Sequence, residues 1–311
     1  MSIVALLTPF ARLFLLLALG ALLGRLRVIT AEGSNQLSTL IINVTMPAVT
    51  LIAVARDLSP DMLRMAPWAL VLIVLVGLVL WSAAMLAGRA ARLQPGTRGV
   101  MALTCGCFNT ASLGIPVVQT VLGPVAAVYA VMADMGINVN LFTFGVAGLA
   151  NGRSGRWYRP ILKALLSPMF MALFVGGAWF ATGWELPGLV ADALDLLAGC
   201  NAPLSMLLLG YLIYSHARTG LALTWPLLGI ISTRLVVSPL LMFALTMPLP
   251  LDPLTRATVI LQAGMPAAML SPVLAKEYGS DVPLAVTAAV VTTALAMLSL
   301  PGVAWLATRG L

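Results

Sequence analysis

Gly114-Ile115-Pro116 and Gly264-Met265-Pro266 stand 150 positions apart, each inside an apolar run long enough to cross a bilayer. A proline within a helix removes a backbone hydrogen bond and crowds the preceding turn. Hydrocarbon tolerates such an interruption only where the freed polar groups are buried in protein or face a water-filled cavity. Matched interruptions in two halves of one chain therefore point to a transporter's binding site near the midplane.

The composition around these stretches agrees. Of 311 residues, 61% are hydrophobic and 9% charged, with a mean hydropathy of +1.04. A soluble globular domain carries roughly 25% charged residues, so the chain reads as an all-α integral membrane protein in a lipid bilayer. The net charge of +7 comes from basic residues scattered over short connections, a pattern that does not suggest nucleic-acid binding. Cys105, Cys107 and Cys200 all lie in apolar segments, and no His or acid stands near Cys105-Gly-Cys107. They read as packing thiols, and neither a metal nor a cofactor is expected. The N-terminal run carries Arg12 and lacks a basic leader, so it reads as a first span and not as a removed segment.

A hydrocarbon core needs about 20 apolar residues per helix. Segments 5–24, 35–54, 67–87, 99–122, 125–148, 161–182, 189–214, 225–247, 255–277 and 283–307 meet that requirement, which predicts ten spans. Numbering the connections alternately puts Arg25, Arg27, Arg89, Arg92, Arg98, Arg153, Arg156, Arg159, Lys163, Arg218 and Lys276 on one side. Arg12, Arg56, Arg64, Arg256 and Arg309 fall on the other. Positive-inside then places the first set in the cytoplasm and both termini outside it.

The halves share further markers. Asn43-Val-Thr-Met-Pro47 answers to Asn201-Ala-Pro203, and Pro67-Trp68 to Trp225-Pro226. The predicted organisation is a first five-helix repeat over 1–150, a cytoplasmic connection over 151–160, and a second repeat over 161–311. A unit with an odd number of spans inserts its copy upside down, and an inverted repeat places its site between the copies. The bland alternative is that the prolines kink helices for packing.

Several side chains near the interruptions could bind a ligand. Half-helix N-terminal ends carry unpaired N–H groups and partial positive charge, suited to carboxylate oxygens. Gly114 and Gly264 allow close backbone approach. Asn109, Ser112 and Gln262 lie within two turns of the interruptions, with bonding between helices as the alternative use of each amide. Asn43 and Asn201 precede prolines and could line the cavity or satisfy freed carbonyls. Asp134 and Arg234 each stand about nine residues into a span, where an ion costs roughly 2.5–3.5 kcal/mol on insertion scales. Asp134, with Asn138 one turn beyond it, is a candidate proton or cation site, and Arg234 a candidate partner for a substrate carboxylate. The competing reading pairs these ions with each other or with backbone. His216, beside Arg218, reads as an interfacial loop residue.

The stretch from Gly20-Ala-Leu-Leu-Gly24 to Asn43-Val-Thr-Met-Pro47-Ala resembles the opening of the auxin efflux carrier family. Phe108-Asn109-Thr-Ala-Ser-Leu113-Gly114-Ile-Pro116-Val resembles its fourth-helix motif, and Met265-Pro266-Ala-Ala with Tyr278-Gly279-Ser-Asp281 its ninth and tenth helices. The resemblance implies ten transmembrane helices in two inverted five-helix repeats, with helices 4 and 9 broken and crossing at Pro116 and Pro266. It also implies secondary transport, by alternating access, of small organic anions such as malonate or malate in bacteria. No long central loop of the large plant members is present, which favours a carrier of the bacterial cytoplasmic (inner) membrane. Proton or sodium coupling fits that mode, and homodimerisation stays open. A membrane-embedded enzyme and an anion channel are the alternatives; one loop His and one mid-span Asp form no obvious catalytic cluster.

Overall fold

The computed structural model describes residues 3–150, 167–217 and 223–310. The predicted connection 151–160, with Arg153, Arg156 and Arg159, lies outside them, as do Lys163 and Arg218. The described residues form helices with no strand: α1 (Ile3–Arg25), α2 (Ala31–Ala55), α3 (Pro60–Ala90), α4 (Pro95–Gly106), α5 (Thr110–Leu122), α6 (Pro124–Leu149), α7 (Pro168–Thr182), α8 (Gly188–Ala217), α9 (Trp225–Thr246), α10 (Pro253–Ala263), α11 (Ser271–Glu277) and α12 (Val282–Ala307). Seven of them, α1, α2, α3, α6, α8, α9 and α12, contain apolar stretches long enough to cross a bilayer. Leu15, Leu189 and Leu298 are 72%, 85% and 81% exposed, so large apolar side chains cover the outside as they do where lipid is the solvent.

Polar caps start the helices where the sequence supplies them. Ser59 accepts from the Met62 N–H before Pro60, Asp252 from the Thr255 N–H before Pro253, and Asp281 from the Leu284 N–H before Pro283. Each joins an oxygen cap to a proline in the first turn, whose missing N–H would have been unpaired there anyway.

Interior prolines are handled in a way the sequence did not predict. The helix is not interrupted at Pro116. The first non-helical stretch is Cys107–Asn109, seven residues before that proline, and Pro116 sits in the first turn of an α-helical run. That run follows a π-helical turn, Thr110–Gly114, which the Ile115 N–H closes onto the Thr110 carbonyl. The same device recurs in α2, where Ile41–Thr45 precedes Met46-Pro47, and in α9, where Thr233–Val237 precedes Ser238-Pro239. A π-turn takes its bond five residues back and widens the coil. The ring of a proline placed just beyond it thereby escapes the carbonyl it would otherwise strike. At the second motif the chain does leave the helix, from Gly264 to Leu270, and Pro266 lies within that stretch.

The helices pack as two groups. α1, α2, α7 and α8 contact chiefly one another and form a panel, whereas α3–α6 and α9–α12 form a bundle. The panel closes on small residues. A Cβ at Gly210 would stand 1.9 Å from the Leu17 carbonyl oxygen, and one at Gly20 would stand 2.2 Å from that of Leu207. Backbones this close are the basis of small-residue helix contacts in membranes. Gly210→Leu is therefore expected to push α1 and α8 apart and destabilise the protein by roughly 1–3 kcal/mol, as overpacking does. Thermal unfolding of the purified protein in detergent checks it; an unchanged midpoint would contradict the contact.

Candidate functional site

The two non-helical stretches meet inside the bundle. Asn109 donates its N–H to the Pro266 carbonyl at 2.8 Å, and Ala268 donates to the Cys107 carbonyl at 3.2 Å, so Phe108 and Ala267 pair as an antiparallel bridge. Ala267 gives its own N–H to the Thr292 hydroxyl of α12 at 3.1 Å. Backbone that has left a helix within a membrane needs partners inside the protein, and here each interruption supplies them to the other.

Arg234 satisfies the carbonyls left over. Its side chain is fully buried. Nη1 donates to the Cys105 carbonyl at 3.0 Å, and Nη2 to those of Ala263 and Met265 at 2.7 and 2.9 Å. Nε reaches Met265 as well, at 3.3 Å, and the guanidinium lies 4.0 Å above the Phe108 ring centroid. Ser238, one turn on, adds a 2.7 Å bond to the Ala263 carbonyl. The acceptors lie at the ends of α4 and α10, the negative ends of two helix dipoles. One cation on the π-turn of α9 thus caps the C-terminal ends of both interrupted helices. Among the described residues Arg234 makes no ion pair, and its bonding partners are main-chain oxygens.

The start of α5 carries the opposite chemistry. Asn109 caps it, its Oδ1 accepting from the Ser112 N–H at 3.2 Å, while its Nδ2 is buried without a partner. Thr110 donates its hydroxyl to the buried Asp134 carboxylate at 2.5 Å, and the Asn138 amide donates to the other oxygen at 3.0 Å. Asp134 joins no ion pair among the described residues. The structure therefore holds Asp134 and Arg234 on different partners and not on each other.

Gln262, on the last turn of α10, is fully buried, and neither its Oε1 nor its Nε2 has a partner. A Cβ at Gly114 would stand 2.0 Å from that Oε1, so the missing side chain of Gly114 is the space the amide occupies. Gly264 serves packing instead, since a Cβ there would meet Val303 of α12 at 2.8 Å. An amide buried without bonds costs about 1–3 kcal/mol per group. The unpartnered Nδ2 of Asn109 and the whole amide of Gln262 flank one crossing.

In the panel, the Thr45 hydroxyl donates to Asn201 Oδ1 at 2.9 Å, leaving Asn201 Nδ2 and the nearby Ser205 hydroxyl buried and unpartnered. Asn43 is not part of this group. Its side chain is exposed and bonds its own helix, donating to the Thr39 carbonyl at 2.8 Å. The residue that meets Asn201 is Thr45, which precedes Pro47 by two positions as Asn201 precedes Pro203. Sequence reasoning missed Thr45, Thr110, Ser205 and Thr292, because small hydroxyls in apolar helices carry no periodic or motif signal.

Between panel and bundle lies a cavity of about 290 Å³. Its walls are Ile52, Ala53, Arg56 and Asp57 at the end of α2, Gln119, Thr120, Pro124 and Ala127 around the α5–α6 turn, and Asp195, Ala198, Gly199 and Ala202 along α8. The cavity extends along α8 from Asp195 to Ala202.

Sequence comparison places the chain among transporters. A protein from Methanothermobacter thermautotrophicus named "Uncharacterized transporter" is 29% identical over 290 residues, covering 92% of this chain and 93% of its own length. One from Rhizobium meliloti named "Putative malonate transporter" is 26% identical over 320 residues, covering 99% and 97%. The model of the family described as "Membrane transport protein" matches residues 5–156 and 159–304. The chain is a multi-pass member of that membrane transport protein family, the auxin efflux carriers that its motifs resemble.

Proposed function

We propose that the protein is a secondary transporter of small organic anions, mono- or dicarboxylates of the malonate or malate kind, working by alternating access. The observation that carries this reading is the set of buried, unpartnered amide groups at the crossing, Nδ2 of Asn109 and Nε2 of Gln262, in a crossing whose carbonyls are already taken by the Arg234 guanidinium. Donors of this kind match the oxygens of a carboxylate. Ser112 lies within the π-turn and Pro116 just beyond it, and Pro266 supplies the carbonyl that anchors the residue before it, Asn109. A relative's name adds malonate as the first acid to try.

In this reading the ten predicted spans form two inverted five-helix repeats. α4 with α5 makes the fourth span and α10 with α11 the ninth. The Thr45–Asn201 contact, made at matching positions before Pro47 and Pro203, supports the repeat. The bundle carries the crossing and moves against the panel, and the cavity between them is the passage on one side. Asp134 is the coupling site, oriented by Thr110 and Asn138. A proton is the simplest coupling ion for a single buried carboxylate, whose charge it neutralises.

The test is uptake of labelled malonate, malate and aromatic carboxylates into proteoliposomes under imposed pH and sodium gradients in turn. Saturable uptake under one gradient, lost in Asn109→Ala, is the expected result. Asp134→Asn is expected to leave exchange of internal for external substrate while abolishing accumulation driven by the pH gradient. No uptake of any acid by correctly folded protein would remove the anion assignment.

A further inference from the structure

We propose that the cavity between panel and bundle contains a second anion site, at which the Arg56 guanidinium binds a small carboxylate by exchanging it for Asp195. The proposal rests on the anion-carrier reading above and adds an entry site remote from the crossing.

Among the described residues, Arg56 is the only cation in the cavity wall. Its Nε donates to Asp57 Oδ1 at 2.8 Å and its Nη2 to Asp57 Oδ2 at 3.4 Å, a two-pronged grip on its sequence neighbour. Nη1 donates to Asp195 Oδ2 at 2.5 Å across to α8. Guanidinium has five N–H groups, so two remain uncommitted. The two acids differ in how firmly they are held. Asp57 is 14% exposed and bound twice, whereas Asp195 is 47% exposed and bound once. An exposed ion pair contributes little to stability because water solvates the separated charges. Asp195 is thus the ligand that leaves at small cost, and what it uncovers is half of a planar fork that matches a carboxylate.

The surroundings fit a small ligand. Below the ion pair the wall is largely alanine and glycine, with Gln119 and Thr120 as further polar groups. A volume of about 290 Å³ stands at the lower limit of small-molecule sites, room for an acid of a few carbons. From Asp195 to Ala202 the wall follows α8 for seven residues, about 10 Å at helical rise. A carboxylate on Arg56 would therefore stand at one end of a pocket that runs along α8 to Ala202. The wall's charges sum to −1, from one Arg and two Asp. Asp195 accordingly acts as an internal competitor of the ligand, which makes the site weak and quick to release.

That competition separates binding from a structural latch. Asp195→Asn and Arg56→Gln both break the Arg56–Asp195 contact, so a latch would shift transport in the same direction in both. A binding site makes the shifts opposite. Labelled malonate supplied on the cavity's side of proteoliposomes is expected to show a KM lowered several-fold in Asp195→Asn and raised about tenfold in Arg56→Gln, with maximal rates retained. Arg56→Lys, which keeps the charge without the fork, is expected between wild type and Arg56→Gln, and serves in its place should Arg56→Gln not fold. Shifts in one direction, or none, overturn the entry site while leaving the carrier reading standing. No uptake by the wild type would overturn both.

Discussion

Arg234→Gln is expected to abolish uptake and to lower stability more than Gly210→Leu or Gly114→Ala does. Four donor–acceptor contacts end at once, freeing the buried carbonyls of Cys105 and Met265 and leaving that of Ala263 to Ser238 alone. A buried acceptor left without its donor costs on the order of 1–3 kcal/mol, and with more than one orphaned at once the crossing would rearrange. Arg234→Lys is the informative companion. It keeps the charge, but one ammonium cannot span acceptors on α4 and α10 as a planar fork does. Thermal unfolding and proteoliposome uptake measured together read the result. Lysine is expected to recover much of the stability and little of the transport rate, because the crossing is held less accurately. Should Arg234→Lys retain the rate and raise only KM, the guanidinium would be contacting substrate and not the crossing alone.

Gly114→Ala is expected to reduce transport at least tenfold, about 1.4 kcal/mol of lost transition-state stabilisation, for a reason that can be isolated. Its Cβ would stand 2.0 Å from Gln262 Oε1 and 2.9 Å from Cδ. The amide must therefore move or the π-turn must shift. Gln262→Ala removes the obstacle, so the double variant Gly114→Ala/Gln262→Ala is expected to regain the stability lost in Gly114→Ala. Transport is expected to stay low in the double variant, since the unbonded amide is gone. A double-mutant cycle on both quantities separates packing from ligand contact. Full transport by the double variant would show that Gln262 fills space only.

Some of this was legible from residues alone, for a physical reason. Hydrophobicity over a span is a sum, and a bilayer reads that sum, so the membrane-crossing helices and the apolar exterior could be read without contacts. The special status of Asp134 and Arg234 was equally visible, because an ion at mid-depth has no cheap explanation. Asn109, Gly114 and Gln262 were recognisable as a group from their nearness to the interruptions.

Other features depended on which atoms meet. Proline announces a lost N–H, yet whether the chain breaks there or widens into a π-turn depends on the neighbours that receive the freed carbonyls. At Gly264–Leu270 the chain breaks at the proline, while at Pro116 the turn before it absorbs the ring and the break lies at Cys107–Asn109. Arg234 could have faced a ligand or backbone, and only the convergence of two helix ends on α9 decides for the carbonyls. Asn43 and Asn201 look alike in sequence, but a helix face separates them, and Thr45 is the residue that meets Asn201. The sequence by itself determined how the chain divides between lipid and interior, since that depends on composition summed over segments. Only the tertiary structure decided which polar atoms are left without partners, because an unsatisfied group is defined by everything around it.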